Sequence, residues 1–278
     1  MIKQKHWIKY IKSLQVKEKS NKEILKQKIV NTIKESIPKK RFGILFSGGV
    51  DSSLIALICK KEKANFICYS VGLEGSEDLE YAKKVAKALK LKLEYKQYTL
   101  KQAEEIIKTT AHILGKKYAN VVNVGVGSVV VAAALLATKN KIKVFYSGLG
   151  SEEIFAGYER HKVKDINKEC WNGLFAMYER DLIRDQFISK ALGITIITPF
   201  LSSELIKSAM NIPGKRKLNS KYKKIILREI AEELGLKKEF AWRKKKAAQY
   251  GSKFDRAILR LAKQNGFKYK KDYLESLF

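Results

Sequence analysis

An α/β fold built on a parallel sheet is predicted by three features of this 278-residue sequence. Short apolar runs alternate with helical stretches of about 10–15 residues, a rhythm that winds helices over both faces of a parallel sheet. A glycine-rich turn joins the first run to the helix after it. Hydrophobic residues make up 45% of the chain, enough for a sizeable core. In order, Trp7, Ile8, Ile11 and Leu14 recur at helical spacing, as do Ile24, Leu25, Ile29, Ile33 and Ile37, until Pro38 stops the helix. Phe42–Phe46 reads as a buried strand, and a helix follows over Asp51–Lys61. Asn65–Ser70 is a second strand, and Asp78–Lys90 a helix with Leu79, Ala82, Val85, Ala86 and Leu89 on one face. Leu91–Tyr98 is a third strand. A helix, loop and helix then lead to a fourth at Lys143–Tyr146, and beyond about residue 160 the pattern is mostly helical. The expected organisation is a basic helical preface over 1–40, an α/β core over 41–160 and a helical part over 161–278 that completes the domain.

Composition excludes several classes. No apolar run long enough to cross a membrane is expected, and the basic N-terminus has no apolar stretch behind it as a signal peptide would. Cys59, Cys68 and Cys170 lie far apart, which excludes a disulfide scaffold and a CxxC metal or redox pair and points to a reducing cytoplasm. His6, His112 and His161 form no metal spacing, and a cap or surface role suits His161 better than catalysis. The formal net charge is +29, of which +10 falls on residues 1–41 and +13 on residues 214–278. Such an excess speaks to acidic partners, here RNA through the basic ends or a polyphosphate substrate, against the plainer reading of lysine-coated surfaces.

One motif carries most of the chemistry. Ser47-Gly-Gly-Val-Asp51-Ser52-Ser53 follows the first strand and opens a helix. Adjacent glycines let backbone N–H groups turn inward, and Ser52 and Ser53 add hydroxyls at a helix N-terminus that favours anions. A carboxylate repels phosphate, and Asp51 makes sense there if a divalent cation sits between them. There is no GxxxxGK[ST], so this is not a Walker-type loop.

These residues resemble the pyrophosphate loop of the ATP pyrophosphatases, which share the Rossmann-like adenine-nucleotide α-hydrolase fold and cleave ATP between its α and β phosphates. Further segments resemble the asparagine synthetase branch. In Val71-Gly-Leu-Glu-Gly-Ser-Glu-Asp, the resemblance places the Val71 backbone against adenine. Tyr146-Ser-Gly-Leu-Gly-Ser-Glu-Glu-Ile-Phe-Ala-Gly-Tyr158 is similar to the family's SGEGxDExFxGY. It implies nucleotide contact at Ser147 and Gly148 and a second magnesium-binding acid at Glu152, one methylene longer than the usual Asp. Ala241-Trp-Arg-Lys-Lys-Lys-Ala-Ala-Gln-Tyr-Gly-Ser252 resembles the segment that carries the catalytic lysine, at Lys245 here; the alternative is that residues 243–246 are a solvated or nucleic-acid-binding patch. Arg184-Asp-Gln…Thr198-Pro-Phe-Leu201 and Arg228-Glu-Ile-Ala also fit the pattern, so the resemblance spans about 41–255.

The resemblance implies an ATP- and Mg²⁺-dependent, AMP-forming carbon–nitrogen ligase. Phe46, Ser47, Gly48, Gly49, Asp51, Ser52 and Ser53 would hold the phosphates, Asp51 and Glu152 the metal, and Lys245 and Asp51 would serve catalysis. A carboxylate, aspartate by resemblance, would become an acyl-adenylate that ammonia or an amine attacks. Two departures stand out. Residue 2 is Ile rather than a glutaminase nucleophile, so ammonia would be free or come from a separate glutaminase partner. Leu149 occupies the place of the SGEG glutamate. The alternatives are a tRNA-modifying adenylating enzyme and a non-catalytic ATP-binding subunit.

Overall fold

The structure is a computed structural model that describes residues 3–244 and 246–278. Five strands, β1 (Phe42–Leu45), β2 (Phe66–Leu73), β3 (Leu93–Tyr98), β4 (Val144–Tyr146) and β5 (Thr195–Ile197), form one sheet in the order β3-β2-β1-β4-β5. Every pairing is parallel, with Ile44 of β1 opposite both Cys68 and Tyr146. The chain runs from β1 outward through β2 to β3 and then returns to place β4 on the other side of β1. The order therefore reverses between β1 and β4, and a crevice opens beyond their carboxyl ends. Ligands of open α/β sheets sit at such a point.

Helices cover both faces. On one side Val50–Lys61 and Lys22–Glu35 pack with Phe42, Ile44 and Phe46. The first two helices belong to this core: Trp7, Ile11, Leu25, Ile29 and Ile33 are buried, and the Trp7 indole N–H donates to the Leu174 carbonyl at 2.8 Å. On the other side Leu100–Tyr118, Val121–Ala137 and Phe254–Gln264 pack on Ile67, Tyr69 and Phe145. Local chemistry sets the helix starts. Thr99 and Gln102 form a capping box, and Ser76, Asn120 and Asn21 each accept a backbone N–H from the first turn.

Three expectations need correction. β2 runs on to Leu73, because β3 pairs with it as far as Tyr98. Residues 195–197 form an edge strand inside the stretch read as helical; three residues are too few to show a period. Finally, one helix, Val121–Asn140 with its last turn, is long and apolar enough to cross a membrane, with a mean hydropathy of 2.1 over its window. Its first 18 residues carry no charge, contrary to the expectation that no such run exists. Inside this fold 61% of that window is buried, against the sheet and neighbouring helices. A helix apolar all round is what a two-sided core position demands.

Candidate active site

The crevice at the ends of β1 and β4 holds a cavity of about 300 Å³. Phe46, Ser47, Asp51, Ser52, Val71, Ser147, Gly148 and Glu152 all line it, so residues scattered over a hundred positions meet in one place. Gly48, Gly49 and Ser53 lie behind the wall. Gly48 has φ of +64°, and a Cβ there would come within 2.7 Å of the Tyr81 backbone, so both conformation and space require glycine. Ser53 is fully buried and outside the lining; its hydroxyl has no hydrogen-bond partner among the described residues. The Ser47 N–H donates to Ser52 Oγ at 3.3 Å and Ser52 Oγ donates to the Gly49 carbonyl at 3.3 Å, which tightens the turn. Gly148 lets the β4 loop cross Asp51, since a Cβ would stand 2.9 Å from the Asp51 Cβ. Lys245 lies outside the described residues.

The residue that the sequence reading missed is Lys224. Its ammonium donates to Asp51 Oδ1 at 2.9 Å and Oδ2 at 2.8 Å and to Ser151 Oγ at 3.0 Å, and it pairs with Glu152 Oε1 at 2.7 Å. The two acids singled out from separate motifs therefore converge on one point. Burial alone would lower the Lys224 pKa, but the Asp51 and Glu152 carboxylates outweigh it and hold the ammonium above its usual range. The lysine is aimed there by a left-handed backbone, φ +57°, at the start of helix Ile225–Glu233. Nothing in its spacing from Asp51, 173 positions away, could have shown this.

Arg243 is the second such residue. The alternative reading of a solvated basic run does not hold for it: the guanidinium is 3% exposed, donates to the Ser47 carbonyl at 3.0 Å and Asp78 Oδ1 at 2.8 Å, and stacks 3.9 Å over the Tyr81 ring. It ties the phosphate-type loop to the helix beside it. Arg228 supports this arrangement by donating to the carbonyls of Lys223, Ala241 and Arg243.

The far wall is an ion network on a turn of π-helix, Tyr178–Leu182. Arg180 pairs with Asp181 at 2.7 Å and with Glu153, and Arg184 pairs with Asp185 at 2.8 Å and Asp181 at 3.2 Å. Burial pushes the Glu153 carboxyl up to about 7, helped by the Asp181 charge, and raises Asp185 as well. Arg180, Asp181, Arg184 and Asp185 line the cavity, as does Leu149, whose side chain packs on the apolar core beneath. His161 is fully buried and outside the lining; its Nδ1 accepts the Tyr158 N–H at 3.0 Å, and burial pushes its pKa down to about 4.

The chain is 32% identical over 308 aligned positions to a protein of Methanocaldococcus jannaschii named as a glutamine-hydrolyzing asparagine synthetase 1, covering 94% of this chain and 56% of that protein. It is 28% identical to asparagine synthetase B (glutamine-hydrolyzing) of Escherichia coli, over 81% of this chain and 44% of that one. It thus spans about half the length of these relatives. The solved structure of NMN synthetase from Francisella tularensis covers 93% of either chain at a TM-score of 0.45 and 13% identity. The sequence profile of asparagine synthase matches residues 33–172 and 161–271, taking in the Ser47 loop, the Glu152 turn and Lys224, and the chain belongs to that family.

Proposed function

We propose that the chain is an ATP-dependent amide ligase that activates a carboxylate as its acyl-adenylate. The observation that carries this is the convergence of Asp51 and Glu152 on one point beside a phosphate-type loop. Two carboxylates offering hard oxygen ligands, with phosphate oxygens to complete the shell, suit Mg²⁺. Bound with ATP, Mg²⁺ would neutralise charge on the departing pyrophosphate. The Ser47–Ser52 turn would hold the β and γ phosphates, with Val71, Ser147 and Gly148 beside the nucleoside. An oxygen of the acceptor carboxylate attacks the α-phosphorus, and the bond from that phosphorus to the bridging oxygen breaks, its electron pair leaving with pyrophosphate. Ammonia or an amine then attacks the acyl carbon, AMP departs, and the surplus amine proton passes to solvent. Lys245 would stabilise charge on the α-phosphate during both steps. Lys224 is the cation between the two acids, and once the metal shares them it is placed to reach phosphate oxygens. By resemblance the acceptor is aspartate, which Leu149 in place of the SGEG glutamate would hold weakly; the amine comes free or from a glutaminase partner, and the site of action is the cytoplasm.

The test is to incubate the purified protein with ATP, Mg²⁺ and ammonia and each of aspartate, glutamate and larger carboxylates, scoring pyrophosphate and AMP. Asp51→Asn should abolish the release while leaving the melting temperature within a few degrees. Release of ADP and orthophosphate by the wild type would sink the assignment of the loop, and no cleavage with any acceptor would favour the non-catalytic reading.

A further inference from the structure

The lysines around the mouth of the cavity are not used by the reaction. Two wall segments, Tyr158–Arg160 and Ala247–Ser252, carry them on their flanks. On one side Lys162 and Lys223 share a single carboxylate, Glu159, at 2.8 and 2.5 Å, so the cluster keeps a positive excess. On the other side Lys246 and Lys253 share Glu77 at 2.6 and 3.9 Å, and Lys244 is exposed nearby in the chain. Glu159 and Glu77 thus each serve two lysines, in a chain whose net charge is +29. Apolar and aromatic side chains are exposed here too, with Tyr250 lying in the chain between Lys246 and Lys253. Val122, on the cavity wall, is 46% exposed, and Tyr250, between wall residues Gln249 and Ser252, is 48% exposed.

Clustered cations neutralise a phosphate backbone, and an exposed ring among them offers a face on which a base stacks. An acidic polypeptide would use the cations but leave the ring and the apolar wall idle. We propose that the mouth of the cavity docks single-stranded RNA, its backbone along the two lysine clusters and a base against Tyr250. This docking does not depend on the adenylating reading. The site differs from the basic N-terminal segment that charge alone singled out. The lysines there that pair across the fold, Lys22, Lys26, Lys28 and Lys34, meet Glu233, Glu204 and Glu62, none of which lines the cavity.

The experiment is fluorescence anisotropy of a labelled mixed-sequence 12-mer RNA with the full chain, without ATP, from 50 to 300 mM salt. The proposal expects dissociation constants of micromolar or tighter near 150 mM salt. The log–log salt slope should become shallower by about 0.7 for each phosphate contact removed. The triple variant Lys162→Gln/Lys246→Gln/Lys253→Gln should bind at least tenfold more weakly. Tyr250→Ser should cost about tenfold, the scale of one stacked base. Lys5→Gln/Lys9→Gln/Lys12→Gln, on helix Gln4–Ser13, should stay within twofold. Melting temperatures confirm that each variant is folded. Equal losses from both triple variants, no loss in Tyr250→Ser, or equal binding of polyglutamate would overturn the proposal. Pyrophosphate release with small carboxylates is scored separately, so failure of the ligase reading and failure of RNA docking give different results.

Discussion

Lys224 fills the space between Asp51 and Glu152, and its removal has a defined consequence. Without it two carboxylates face each other at the bottom of the cavity, and breaking a buried pair costs about 3–5 kcal/mol when the remaining charge is fully buried. Glu152 is one-third exposed, so the cost should be nearer the lower figure. Lys224→Met should therefore melt several degrees below wild type, and Mg²⁺ alone should restore more of that loss than it adds to wild type, because a hard cation suits the same oxygens. A scanning-calorimetry titration with Mg²⁺ reads this. Identical Mg²⁺ responses of the two proteins would show that the acids are not a cation site. A second residue-scale expectation concerns Leu149, which offers neither charge nor hydrogen bond to a substrate. A substrate polar group left unpaired there costs about 1–3 kcal/mol. Asparagine formation from aspartate and ammonia should be weak in wild type and rise in Leu149→Glu. Robust wild-type synthesis that falls in this variant would show that another wall residue meets the acceptor.

These residues also mark how far the site was legible. Ser47, Asp51 and Ser52 sit in one compact motif whose chemistry is local, a turn, a helix start and an acid beside them, whereas Glu152 is singled out by resemblance to a family segment. Lys224 and Arg243 act through contacts with Asp51 and Ser47 across 173 and 196 positions, and in a chain with 57 basic residues neither stands out. Burial distinguishes them, and burial is a property of the fold.

Among the elements, the turn Tyr178–Leu182 and the short helix Ser151–Ile154 matter most, because together they bury Glu153 between Arg180 and the cavity wall. A carboxyl held near 7 in the folded chain and near its ordinary value when unfolded binds more protons folded than unfolded between those two pH values. The stability it contributes is therefore present below about pH 4.5 and is lost as pH rises toward 7. Glu153→Gln should flatten the decline in unfolding free energy between pH 5 and 7 by an amount of order 2–3 kcal/mol, at 1.36 kcal/mol per unit. Urea melts at four pH values would measure it; parallel pH profiles for the two proteins would mean that Arg180 keeps the carboxylate ionised throughout. The strands show the same division between local and distant information as the residues. β1 and its helix were legible from an apolar run and a glycine turn. β5 was not, because three residues on a sheet edge take their conformation from pairing with β4.

At the scale of the molecule, the reversal of strand order between β1 and β4 is what brings the Ser47 turn, the Glu152 turn and the helix that starts at Lys224 to one crevice. The uncharged helix Val121–Ala137 covers that crevice from one side and gives the cavity Val122, Val126, Val129 and Val130. The ion network of Arg180 and Arg184 closes the other. One cavity of about 300 Å³ thus brings together the Ser47 turn, acidic side chains and an apolar wall, and under the proposed reading these would hold a nucleotide near its acceptor. The most direct measurement follows one oxygen atom. With the acceptor found by pyrophosphate release labelled with ¹⁸O in its carboxylate, an acyl-adenylate must transfer one labelled oxygen to AMP for each amide formed. The account predicts ¹⁸O in the AMP phosphate, seen by mass spectrometry, with unlabelled pyrophosphate. Label in orthophosphate, or none in AMP while amide is made, would contradict it.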